Sequence, residues 1–398
     1  YLFAHNDGDG IFGENGDQDI IKCGSVTGTT EENLGFEPQW VLLKRSDAGS
    51  NWRIMDNMRG MIPSGGNDAQ LFPDSSAAEF TSADMINITS TGFSQTLSGT
   101  WIYIAIRRGP MKTPESGTEV FAQDYRHNAT PAYTSNFPVD WAMQKRETGT
   151  DTRVATRMLG DKYLSANLTA AEQTLSTITW DYNDGMESHT SDQTDKWQWM
   201  FRRAPGFFDV VATEWFSGPV NHNLSAVPEL IIFKERASSN YWYVWHKDFT
   251  NQEYIFLDQN YAKADYGSQL WATQTETTGG GLDLGASGAA IMYLFASLPG
   301  VSKVGSYTGN GTSQTIDCGF SNGARFVLIK RTDNTDDWHV YDSERGIVAG
   351  NDPRLELNTT DVEDTGSDDI DPVSSGFSVT SDASVNTNNA EYIFLAIA

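Results

Sequence analysis

The chain repeats itself about every hundred residues, and that period constrains its architecture more than any other feature. Phe36, Trp40, Lys44 and Arg45 recur at the same spacing as Phe137, Trp141, Lys145 and Arg146. Looser copies run through 228–234 and through Phe320 followed by 326–331. Eight residues past each lysine stand Trp52, Arg153, Trp242 and Trp338. Arg59-Gly60 and Arg345-Gly346 follow two of these tryptophans at equal distance. An amide or acid is then followed five residues later by a carboxylate: Asp74 and Glu79, Asn167 and Glu172, Asn260 and Asp265, Asn358 and Glu363. The closing strand repeats at Ala4, Ala105, Met200, Ala296 and Ala396, at intervals of 101, 95, 96 and 100 residues. This is longer than a solenoid repeat of roughly 20–50 residues. It suits a self-sufficient sandwich of about seven strands.

Local texture agrees. Runs such as Val327-Leu328-Ile329, Trp338-His339-Val340-Tyr341 and Gly376-Phe377-Ser378-Val379 are strand-length and rich in β-formers. Ser, Thr, Asn, Asp and Gly separate them with turn chemistry. Helical periodicity is nearly absent, and segments such as 168–174 and 261–267 could each form one helical turn. The expected class is all-β: four tandem antiparallel β-sandwich domains at 20–110, 111–205, 206–300 and 301–398, each a bead with its own core. Residues 1–19 are expected to hold the last strand of a preceding copy and an acidic linker, because Tyr1-Leu2-Phe3-Ala4 matches Tyr293-Leu294-Phe295-Ala296. Such a strand alone would leave an unpaired edge. The chain is therefore expected to be a piece of a longer polypeptide.

The balance of 27 Lys+Arg against 53 Asp+Glu gives a formal charge of −26, which disfavours nucleic acid and anionic bilayers as partners. No apolar run reaches the roughly 20 residues of a membrane helix. Cys23 and Cys318 cannot make a disulfide framework.

Several recurring residues invite a scaffold reading. A tryptophan repeated at equal spacing is expected to plug each sandwich. The Lys-Arg pairs fall at the hairpin turn and are expected to be solvated. The amide–carboxylate pair can satisfy backbone donors in a bend. Six scattered histidines show no metal-ligand spacing, no nucleophile elbow or phosphate loop is present, and Gly279-Gly280-Gly281 resembles a loose loop. No two of the acids are nominated as a glycosidase pair, so a non-enzymatic protein is expected.

Two acidic segments and one aromatic one stand out. Asp7, Asp9, Glu14 and Asp17 alternate with Gly and could wrap oxygens around a structural Ca²⁺; no other cofactor is implied. Asp361, Glu363, Asp364, Asp368, Asp369 and Asp371 are expected to form a solvated loop. The third copy gains aromatics: with Trp242 and Val244 inward, Tyr241, Tyr243 and Trp245 would share an outer face. With Trp215, Phe216, Tyr261 and Tyr266 they offer either a sugar-stacking patch or packing against a neighbouring bead or chain.

Residues 305–316, Gly319-Phe320, the Lys330-Arg331 turn, Trp338 and the closing 392–398 resemble a tandem domain of virion proteins from marine tailed phages. Residues 17–25 and 137–141 are similar to other stretches of the same arrays. The second copy departs, with Arg153 for Trp and Met200 for Ala. The resemblance implies concanavalin-like sandwiches in a tail fibre or similar extracellular virion appendage. It implies other virion subunits as partners, host glycan or receptor as target, and a homotrimer. A lectin-like module is the alternative, followed by a tailspike depolymerase.

Overall fold

The computed structural model describes residues 19–28, 31–61, 67–96, 98–110, 112–188, 195–213, 217–284 and 288–398, with Phe3, His5 and Gly16. The N-terminal strand expected at 1–4 lies, but for Phe3, outside the described residues. Among them the regular structure is almost entirely antiparallel strand, and the same larger sheet is built four times. In each repeat the closing strand sits between the opening strand and the strand that carries the repeated lysine. In repeat 1, Thr100–Arg107 lies between Ile21–Thr27 and Pro38–Arg45, and Arg53–Asp56 follows. The equivalent trios are Lys196–Phe201 between Phe121–Tyr125 and Trp141–Arg146, Ala290–Phe295 between Phe208–Thr213 and Leu230–Glu235, and Glu391–Ile397 between Ser302–Thr308 and Phe326–Arg331.

A smaller sheet pairs with each larger one, and its penultimate strand opens on glycine for a steric reason. A Cβ at Gly92, Gly185 or Gly376 would stand 1.9, 2.0 or 2.2 Å from a carbonyl oxygen of the partner strand, namely Glu32, Tyr133 or Ile316. Only glycine lets the backbones approach that closely.

Strand pairing corrects three alignments made on sequence. The closing position equivalent to Ala105, Met200 and Ala396 is Leu294 rather than Ala296, because Leu294 faces Ile231 as Met200 faces Ala142. The tryptophan position of repeat 2 is Thr152 rather than Arg153. In repeat 3 the spacing-five pair is Asp258 and Lys263 rather than Asn260 and Asp265. The amide–carboxylate position itself has one job throughout: Asp74, Asn167, Asp258 and Asn358 accept the backbone N–H of Trp52, Thr152, Trp242 and Trp338 at 3.2, 3.0, 3.0 and 2.8 Å.

The repeated lysine is not solvated. Lys145, Lys234 and Lys330 are buried, and burial pushes each down to about 8. Lys145 Nζ donates to the Thr359 carbonyl at 2.6 Å, Lys234 to that of Glu235 at 2.6 Å, and Lys330 to that of Asn260 at 3.2 Å. A buried ammonium is tolerated where carbonyls replace its water.

The Lys145 and Lys330 bonds already cross between repeats, and so does the core. One apolar cluster includes side chains from all four repeats, while two further clusters lie wholly within repeats 2 and 4, so the repeats keep cores of their own but are not independent beads. Repeats 2, 3 and 4 close into a ring. The N–H of Glu172 in repeat 2 donates to the Arg236 carbonyl of repeat 3 at 2.9 Å. Lys263 of repeat 3 donates to Thr332 of repeat 4 at 2.8 Å, and Glu363 of repeat 4 returns to Glu147 of repeat 2 at 2.8 Å. These are equivalent positions each time: five past the amide–acid residue, onto two past the lysine. The segments 168–174 and 261–267 are thus extended, ending in short strands at Gln173–Thr174 and Ala264–Asp265, rather than helical.

The ring also explains the tryptophans. Trp242 Nε1 donates to the Ser165 and Leu168 carbonyls of repeat 2 at 3.0 and 3.1 Å, and Trp338 Nε1 donates to Phe256 of repeat 3 at 2.8 Å. They plug the joints between repeats. At the centre Trp141, Phe121 and Phe201 of repeat 2 meet Phe208 and Phe295 of repeat 3 and Phe326 of repeat 4, with ring centroids 4.5 to 6.1 Å apart.

Repeat 1 docks beside this ring through buried charge. Arg203 Nη1 and Nη2 grip both Glu37 oxygens at 2.7 and 2.6 Å, and its Nε donates to Asp209 at 2.7 Å. Arg108 lies 3.3 Å from Glu37 and 3.6 Å from Asp209. Burial works against the Arg203 charge, but the two carboxylates outweigh it and hold its pKa above the ordinary value. The joints that carry Arg108 and Arg203 are therefore clamped by charge.

Candidate functional site

The aromatic excess of repeat 3 resolves into a surface cluster. In the strand Trp242–His246, Trp242 and Val244 point into the ring of repeats. Tyr243 points the other way, where Tyr254 and Phe256 of the neighbouring strand Glu253–Phe256 meet it at 5.4 and 5.1 Å. Tyr241 stacks on Phe256 at 4.4 Å with 29° between planes, and Tyr261 stands edge-on to it at 6.5 Å. Local sheet architecture is the reason: among the described residues the smaller sheet of repeat 3 has two short strands where the other repeats have three. Tyr241, Tyr261 and Tyr266 are exposed by 38%, 50% and 45%, so three hydroxyl-tipped rings face water on a rigid base. Burial pushes the Tyr243 phenol up to about 12.

Trp245 does not belong to this cluster. Alternation puts it on the same side of the strand as Tyr243, but there it is buried opposite Ile231, with Nε1 donating to the Thr250 carbonyl at 3.2 Å, and so is not part of the exposed surface. Trp215 lies outside the described residues. Tyr261 and Tyr266 complete the cluster, and their place in it was not derivable from alternation within one strand.

A second feature of repeat 3 is a groove of about 540 Å³ beside the short strand Thr278–Gly279, lined by Pro219, Gln269, Trp271, Thr273, Thr278 and Asp283. The run 279–281 is close-packed at its edge, since a Cβ on Gly281 would stand 1.4 Å from the Gly218 carbonyl oxygen. It is not a loose loop.

The acidic groups have other duties. Asp7, Asp9, Glu14 and Asp17 lie outside the described residues. The cluster at 361–371 is no solvated loop: Glu363 takes Arg345 Nη1 at 3.0 Å, while Asp364 and Asp369 take Arg354 at 3.0 and 2.8 Å. Asp369 also accepts from Tyr341 Oη at 2.8 Å. Among the described residues no group of three or more His, Cys, Asp or Glu is arranged to hold a metal ion. His246 and His339 are both buried; burial pushes His246 down to about 4, and His339 Nε2 lies 3.1 Å from Asp336.

Fold and site together define an all-β protein of tandem sandwich repeats with an aromatic surface on the third. The chain belongs to the DUF7483 family, described as a domain of unknown function, which matches residues 20–110 and 203–398. The unmatched stretch is repeat 2, whose Thr152 stands where its siblings carry tryptophan. No curated protein and no solved structure matches the chain.

Proposed function

We propose that the chain is a non-enzymatic structural unit of a phage virion appendage, such as a tail fibre, that holds a host-binding surface. The observation that supports a scaffold role is the closure of three repeats by equivalent backbone bonds around one aromatic centre. A closed ring with buried charge clamps transmits load without hinges, which suits an appendage that must hold its target at a distance. Antibodies raised against the chain should decorate the appendage of its virion in electron micrographs. Antibodies that bind disrupted cells alone would refute the assignment.

The exposed trio Tyr241, Tyr261 and Tyr266 favours a second, compatible reading, in which repeat 3 engages surface glycan. Aromatic faces stack on the apolar side of sugar rings. A glycan array probed with wild type and Tyr241→Ala, with and without Ca²⁺, tests it. Reducing sugar released from host polysaccharide would instead support a depolymerase.

A further inference from the structure

Repeat 1 carries both halves of the joint that closes the ring and, among the described residues, uses neither. Its positions follow from register. Trp40, Leu42, Ile104 and Ile106 of repeat 1 are equivalent to Trp141, Met143, Trp199 and Phe201, to Leu230, Ile232, Tyr293 and Phe295, and to Phe326, Leu328, Leu395 and Ile397. In repeats 2, 3 and 4 every one of these side chains is buried, at most 3% exposed, because the other two repeats cover it. In repeat 1 all four are half-buried, and Ile102 beside them is 43% exposed. The opposite face of the same sheet, with Val41, Leu43, Trp101, Tyr103 and Ala105, forms the repeat's own core. The sheet is apolar on both sides and covered on one. Monomeric proteins rarely leave such a face to water.

The polar parts of the joint match. Glu79 stands where Glu172, Lys263 and Glu363 donate their amides, and Ser46 where Glu147, Arg236 and Thr332 offer their carbonyls. Among the described residues neither the Glu79 N–H nor the Ser46 carbonyl has a partner. Trp52, equivalent to the buried Trp242 and Trp338, is half-exposed. Donor edge, acceptor edge, indole and apolar face are all present on one repeat, so the surface is complementary to itself in a head-to-tail sense. A heterologous contact of that kind closes when its rotation divides a full turn, and in repeats 2 to 4 it closes at three.

We propose that repeat 1 forms the same closed ring with repeat 1 of two other copies of this chain, giving a homotrimer. Each Glu79 amide then donates to the Ser46 carbonyl of the next copy, and the faces bearing Trp40, Leu42, Ile104 and Ile106 meet on a threefold axis. The partner is identified by geometry internal to this chain and does not depend on the virion reading.

Sedimentation velocity on the whole chain over a dilution series is the test, read beside circular dichroism. The wild type should sediment as a trimer. Ile104→Glu, which points away from the core of repeat 1, should give a monomer with an unchanged spectrum. A second measurement does not rely on that variant folding. In a Cys23→Ser background, Ser46→Cys with Glu79→Cys should cross-link under mild oxidation into a ladder that ends at three chains. A wild type that stays monomeric at every concentration, or a ladder that ends at two, overturns the proposal.

Discussion

Trp199 Nε1 of repeat 2 donates to Asp342 Oδ2 of repeat 4 across 2.9 Å, and Arg345 lies over the same indole, 5.5 Å from its centre, while its Nε holds the same carboxylate at 2.6 Å. A side chain on the sheet of one repeat thus completes the charge pair of another. Repeats 1 and 4 share that Asp–Arg pair, as Asp56–Arg59 and Asp342–Arg345. Only the copy in the ring is sealed under a tryptophan.

The clamp at repeat 1 should fail when its cation is removed. Arg203→Leu leaves Glu37 and Asp209 buried with only Arg108 nearby, and an uncompensated buried charge costs about 3–5 kcal/mol. Thermal or urea denaturation reads this. A cost under about 1 kcal/mol, in the range of surface pairs, would show that the cluster is solvated.

Ring closure by indoles is tested more gently. Trp338→Phe keeps most of the ring volume but loses the bond to the Phe256 carbonyl, for about 1 kcal/mol. Trp52→Phe in the monomeric Ile104→Glu background should cost less, because Trp52 is half-exposed and, among the described residues, its indole bonds to no other repeat.

Steric need for glycine predicts a larger loss. Gly376→Ala forces a methyl against the Ile316 carbonyl at 2.2 Å. The strands must separate, for about 1–3 kcal/mol, whereas Gly319→Ala, with open space around its Cβ but a positive φ of 71°, tests backbone strain alone.

Acid should act through His246. Its folded pKa is held near 4 by burial, below the unfolded value near 6.5. Between those values the unfolded chain takes a proton that the folded chain refuses, so stability falls as pH drops from about 6.5 to 4 and levels off below. The full contribution is about 3 kcal/mol. Denaturation midpoints of wild type and His246→Gln should move together above pH 7 and diverge in that window, with the wild type losing more. Asp352, raised to about 6 by burial, works in the opposite direction in both proteins and cancels in the comparison.

Binding and packing in repeat 3 should separate by residue. Tyr241→Ala should abolish any glycan signal with little change in melting temperature. Trp245→Ala opens a cavity and should cost about 3–5 kcal/mol, so lost binding there would report unfolding.

How much was legible follows from what each residue answers to. Fold class, the number of repeats and the recurrent Trp, Lys and Asn/Asp positions are set by neighbours within one sheet, and spacing exposes them. Register in repeat 3 was misplaced by two residues because its loops differ in length, and hydrogen bonds rather than residue types define it.

What Lys145, Trp242 and Glu363 touch lies in other repeats, and nothing in their spacing says so. Sequence alone determined that the chain would pleat into four apolar-faced sheets, since alternation and turn chemistry act over a few residues. Only tertiary structure decided that three of those sheets hide their second faces against one another. Burying both sides of a sheet needs partners from distant parts of the chain, and which surfaces meet is settled by shape and by where unpaired backbone groups find each other.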